Sequence, residues 1–247
     1  MHLKSFFLLF FTFALFNCGT SAQVKTNTEK TSNTIDHEIW NDVLQKFVSN
    51  TGQVNYKGLK SDSSGLYNYI FLLKNNPPQN DWSRQEKLAY WINAYNALTI
   101  DLILRNHPLK SIKDIDNPWN QELWKIGNDV YSLNDIEHQI LRKMDEPRIH
   151  FAIVCASISC PKLQNTAFTA RDLESQLTNA TKEFLLDPSK NKITKSQLEI
   201  SKIFKWFTKD FKSSESTVID FINRYTDVTI SEDAEISYME YNWNLND

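Results

Sequence analysis

Between Leu88 and Leu104 the sequence reads LAYWINAYNALTIDLIL, with polar breaks only at Asn93, Asn96, Thr99 and Asp101. A helix that is apolar on nearly every face is stable in water only as the element that the rest of the domain wraps. It is short of the ~20 apolar residues needed to cross a membrane. Ser83, or Asp81, can cap its start, Ser83 with Glu86 completes a Ser-x-x-Glu box, and His107-Pro108 closes its end. The wrapping material is present: 41% of the 247 residues are hydrophobic, among them 15 Phe, 9 Tyr and 7 Trp, while 23% are charged. That balance excludes collagenous, disordered and polytopic membrane classes. With 5 Gly, no dinucleotide or P-loop phosphate cradle can be written, and a net charge of −3 gives no reason to expect nucleic acid as partner.

Residues 1–22 read as an export signal: Lys4 supplies the basic start and Phe6 to Phe16 an apolar stretch too short to span a bilayer. Two processing routes are open. Thr20-Ser21-Ala22 suits ordinary cleavage before Gln23, whereas Leu15-Phe16-Asn17-Cys18 resembles a lipobox with Cys18 as the lipidated residue, the only membrane contact expected. Both routes place the mature protein in the periplasm or outer envelope, or outside the cell. Residues 23–35 are polar and read as a flexible leader; one domain is expected over 36–247. Of three cysteines, Cys155 and Cys160 then remain in an oxidising compartment.

Apolar positions from Ile39 to Val48 recur at helical spacing, and a second helix is expected from Ser64 to Lys74, before Asn76-Pro77-Pro78. Residues 123–133, with Gly127-Asn128-Asp129 at the centre, suggest a hairpin, and 132–144 a short helix. Ile149 to Cys155 reads as a buried strand, 168–186 as a helix, 192–200 as a hairpin and 216–224 as a last helix. Helices first and strands with helices later indicate an α+β fold: a helix-rich single domain around a central buried helix, with a small, mainly antiparallel sheet.

Three features could carry chemistry. Asn93 and Asn96 share a side of the central helix, where a buried amide without a partner costs on the order of 1–3 kcal/mol; they either tie loops to the helix or line a cleft. Glu137-His138 is either a surface pair or part of a site. The run from Ile149 to Pro161 brings His150 near Cys155 and Cys160, the residue types of thiol catalysis. On a regular strand His150 and Cys155 point to opposite faces, so a direct pairing requires a bulge, and His138 is a rival base. The thiols admit three readings: a disulfide stapling a short loop, a zinc site with His138 and His150 at a spacing that matches no standard finger, or a catalytic thiolate with an oxyanion site at the amides of Ala156 and Ser157.

Seven ordered motifs resemble the domain of unknown function 547 family: VNY (54–56), AYWINAYNALTI (89–100), SLNDIEHQILR (132–142), RIHFAIVCASISCPKL (148–163), FLLDPS (184–189), LEISKIFKWFTKDF (198–211) and MEYNWNLN (239–246). The resemblance implies a bacterial envelope protein with the asparagine helix, the Glu-His pair and Cys155 as hallmarks. Plant members often carry serine where Cys160 stands, which favours Cys155 over Cys160. At Asn242 the family often has an aspartate, so an acid that could orient a histidine is missing there.

Two readings follow. In one, Cys155 is the nucleophile, His138 or His150 the base, and Asn93, Asn96 or Glu137 orient, in the manner of papain-like and transglutaminase-like enzymes, giving hydrolysis or acyl transfer at an amide or thioester of a small molecule or peptide. In the other, the chain is a non-enzymatic binding or scaffolding domain in which Cys155 and the asparagine helix are structural. No cofactor or metal is expected in either.

Overall fold

Trp40, Val43, Leu44 and Phe47 bury one side of the first helix, Glu38–Phe47 (α1), against the helix Ser64–Asn75 (α3); a short turn of helix, Tyr56–Ser61 (α2), stands between them. The computed structural model describes residues 34–247, and the expected export signal, Cys18 and nearly all of the leader lie outside the described residues. The long apolar run forms Arg84–Asn106 (α4), capped by the Ser83–Glu86 box and buried without interruption from Leu88 to Leu104. Its surroundings are the larger of two apolar clusters, built from α1, α3, α4 and the residues around Ile149–Val154. No helix among the described residues is long and apolar enough to cross a membrane.

The expected hairpin is present as Trp124–Ile126 (β1) and Asp129–Tyr131 (β2), with Trp124 opposite Tyr131. Gly127 takes the left-handed conformation (φ 61°) that the tight turn requires. After it, 135–140 makes a π-helical turn and 141–144 a 3₁₀ turn in place of one regular helix. Leu173–Leu186 (α5) starts later than the sequence suggests, because the Thr169 hydroxyl donates to the Asp172 carboxylate, accepts from the Asp172 amide and so holds a turn there.

Lys192–Ile193 (β3) and Gln197–Ile200 (β4) pair antiparallel; Glu235–Tyr238 (β5), which the sequence did not single out, adds to β4 in parallel, with Leu198 opposite Ile236. The sheet is therefore two separate pieces, one antiparallel and one mixed. Around the mixed piece lie Ile203–Trp206 (α6), Thr208–Ser214 (α7) and Val218–Asn223 (α8). The second apolar cluster is a knot of phenylalanines, with ring centroids 4.9 Å apart for Phe204–Phe211 and 5.0 Å for Phe151–Phe184. The whole is α+β, as the sequence indicates.

One element is corrected. Ile149–Cys155 is not a strand: Pro147–Phe151 is a 3₁₀ helix followed by a turn. A short buried run of branched residues has the same periodicity in either form, and where its amides find partners decides between them. The amides of Ala152 and Ile153 bond back to the Ile149 carbonyl, and the Val154 amide donates to the Asn96 side chain at 3.0 Å, so no neighbouring strand is needed. Phe151 enters the phenylalanine knot while Ile149, Ala152, Ile153 and Val154 enter the cluster around α4. This segment joins the two cores.

Candidate functional site

At the seam of the two clusters lies a cleft of about 350 Å³. Residues of both clusters, among them Ile153, Val154 and Ile203, form part of its wall, so the fold positions it as packed elements rather than mobile loops would. Around it converge Glu137, His138, His150, Cys155 and Cys160 from the sequence candidates. Asn93 and Asn96 do not line it. Asn93 holds the Phe168 backbone from both sides, donating to its carbonyl at 2.7 Å and accepting from its amide at 3.0 Å. Asn96 does the same for the residues that lead into Cys155, donating to Ala152 O at 2.9 Å and accepting from Val154 N.

The π turn carries both Glu137 and His138 to the cleft, and a wider turn of this kind is frequent at functional sites. Glu137 is 8% exposed, and the Tyr95 hydroxyl donates to its Oε2 at 3.1 Å. Burial pushes this carboxyl up to about 7, against the opposing effects of the Tyr95 hydrogen bond and of Arg142. His138 receives a hydrogen bond at Nδ1 from Arg142 Nη1 at 2.9 Å. A guanidinium only donates, so the proton of neutral His138 sits on Nε2. Burial, then the Arg142 charge, lowers its pKa.

His150 is 3% exposed, lies face to face with Phe207 at 3.9 Å between centroids, and bonds through Nε2 to Asp210 Oδ2 at 2.8 Å. Asp210 also takes two hydrogen bonds from Arg142, at 2.6 and 2.7 Å. Burial alone would raise the Asp210 carboxyl; the hydrogen bonds from Arg142 and His150 outweigh it and hold the group far below its ordinary range. An ionised Asp210 fixes the His150 proton on Nε2 and leaves Nδ1 as the acceptor. Burial lowers the His150 pKa, with Asp210 opposing.

Cys155 and Cys160 are joined as a disulfide across a Cα separation of 6.2 Å. The Tyr241 hydroxyl stands 3.4 Å from the Cys155 sulfur and 3.3 Å from that of Cys160, and Ser157 Oγ donates to Tyr241 Oη at 3.3 Å. Cys155 is half-buried and Cys160 buried, so Cys155 is the more exposed residue of the pair. Immediately after it Ala156 adopts φ 56°, a left-handed conformation that costs a residue with a Cβ about 1 kcal/mol or more. Among the described residues no group of three His, Cys, Asp or Glu side chains is placed to hold a metal ion, so the four zinc candidates do not assemble.

The sequence assigns no role to Asp210, Arg142, Tyr241 or the tryptophans of the cleft, Trp119, Trp206 and Trp243, although all but Trp119 fall in the quoted motifs. Asp210 lies 60 residues from His150 in α7, and nothing in its own motif marks it as a histidine's partner. Tyr241 and Trp243 are delivered by the C-terminal strap, whose backbone runs beside 156–159 through Ile158 N to Asn244 O at 2.9 Å and Asn246 N to Ala156 O at 3.3 Å. Asn242 accepts from the Asn244 amide at 2.9 Å and so shapes this strap; the acid that orients a histidine here is Asp210.

Fold and cleft define a class: an α+β protein with two neutral-tending imidazoles, a buried carboxyl and a disulfide in a cleft walled by aromatic rings. Residues 79–185, which hold all six sequence candidates, match the family model described as "Protein of unknown function, DUF547". Neither a curated protein nor a solved structure matches the chain.

Proposed function

We propose that the protein is an exported, cysteine-dependent hydrolase or acyltransferase acting on an amide or thioester, with the Cys155–Cys160 disulfide as its resting form. The observation that supports this reading is the convergence of the Cys155 sulfur and the Asp210-oriented His150 on one cleft. A dithiol reductant transfers two electrons and two protons to the pair, becoming a disulfide itself and leaving two thiols. His150 Nδ1 then accepts the Cys155 proton, and the sulfur attacks the carbonyl carbon. The Nε2–H of His138 and nearby backbone amides donate to the oxygen as it gains charge. The C–N or C–S bond breaks, the leaving group takes the proton from His150, and water or another acceptor releases the acyl group from sulfur. Asn96 is a positioning residue for this step, through the backbone of 152–154.

Cys160→Ser leaves Cys155 as a free thiol without added reductant. With small thioesters this variant, and the reduced wild type, are expected to form an acyl adduct on Cys155 and turn over, and Cys155→Ser to do neither. Turnover that survives in Cys155→Ser, or no adduct in either thiol form, contradicts the reading. One observation favours a second reading, a binding domain without chemistry: the disulfide itself, which leaves neither Cys155 nor Cys160 a thiol in the oxidised state. Its signature is ligand binding in the cleft with no adduct in the reduced protein.

A further inference from the structure

The polar inventory of the cleft is lopsided. None of its lining residues is Lys or Arg, and its one carboxyl is that of Glu137. Arg142, which reaches His138, is committed at Nε and Nη2 to Asp210 and at Nη1 to His138, so its charge is already matched. Burial disfavours the charged forms of the His138 and His150 imidazoles and lowers both pKa values.

The rings are arranged as a wall. Tyr241 stands 4.6 Å from Trp243 and 4.8 Å from Trp206, centroid to centroid, and Trp119 meets Trp243 edge to face at 5.8 Å. Trp206 is 46% exposed although tryptophan is usually well covered, and it lines the cleft. One face of Trp243 already carries a cation, the Lys113 ammonium at 5.0 Å. Ring faces attract cations through their quadrupole, and a carboxylate beside such rings adds a direct charge partner.

We propose that the cleft binds an organic ammonium group, its charge set against Glu137 and its carbon flanks against Trp206, Tyr241 and Trp243. The inference rests on the reading of this cleft as the substrate site and names the substrate class, an acyl compound that carries an amine or quaternary ammonium. It does not require the chemical step, so it is tested on the disulfide form. The probes are choline and 3,3-dimethylbutan-1-ol, which has the same shape with carbon in place of the charged nitrogen, each titrated against tryptophan emission. Choline is expected to bind at least tenfold more tightly than the alcohol, and Glu137→Gln to remove that preference while leaving the alcohol's affinity unchanged. Equal binding of the two by the wild type overturns the ammonium inference and leaves the cleft reading standing. Binding of neither overturns both. The wild-type comparison decides the matter even where Glu137→Gln fails to fold.

Discussion

Replacing Glu137 with glutamine isolates the cost of placing a carboxyl at the seam of the two cores. In the folded chain burial raises this group from its ordinary 4.5 to about 7. Between those two values the folded state holds a proton that the unfolded state has released, so stability falls as pH rises through this window and is flat above about 7. At ~1.4 kcal/mol for each pH unit, the rise from 4.5 to about 7 makes the ionised carboxyl cost on the order of 3 kcal/mol at pH 8 relative to pH 4. Glutamine keeps the acceptor for the Tyr95 hydroxyl and cannot ionise. The groups that face Glu137, namely Tyr95, Arg142 and Asp210, remain in both proteins, and their own titrations largely cancel in the difference. Urea unfolding of wild type and variant from pH 4 to 8 is expected to show the variant gaining about 3 kcal/mol on the wild type across the range, nearly all of it below pH 7. A difference that stays constant with pH, or that moves the other way, refutes the placement of this carboxyl in a desolvated site.

Two further substitutions test the supports of the site. Asn96→Ala leaves the buried Ala152 carbonyl and Val154 amide without partners; at ~1–3 kcal/mol for each orphaned group, a loss of about 2–6 kcal/mol is expected in denaturant unfolding, with faster reduction of the disulfide, whereas a loss below ~1 kcal/mol contradicts the anchoring role. Asp210→Asn removes the charge that orients His150 and raises its pKa; thioester turnover by the reduced enzyme is expected to fall by about a hundredfold or more, with the acid limb of its pH profile displaced to lower pH, as checked by steady-state rates across pH.

The central helix was legible because its signal is strong and local: an apolar stretch, a capping box at Ser83 and Glu86, and a proline after its end, all of which α4 reproduces. The hairpin at Gly127 was legible for the same reason. Ile149–Cys155 was not, because a branched, buried run is compatible with two backbones and the deciding partner, Asn96, is 56 to 58 residues away. The site follows the same division. Glu137, His138, His150 and the cysteines stand in dense motifs, so residue type alone pointed to them, but the groups that set their proton positions carry no such signal, whether one helical turn on, as for His138, or far away, as for His150. Arg142 fixes His138 and Asp210 fixes His150, and the second of these contacts spans 60 residues that no periodicity connects. Strand β5 was likewise not legible, and the C-terminal strap stood out only as a motif, since the pairing of each is specified by a distant partner.

The claim that Cys155 and His150 act as a unit is tested most directly by the alkylation of Cys155 in Cys160→Ser as a function of pH. An unassisted thiol has a pKa near 8.5 and is only about 3% ionised at pH 7. Pairing with His150 is expected to move the alkylation midpoint below about 7.5, and adding His150→Gln to return it to near 8.5 and slow the reaction at pH 7 by about tenfold. A midpoint already near 8.5 in Cys160→Ser, unchanged by His150→Gln, contradicts the account.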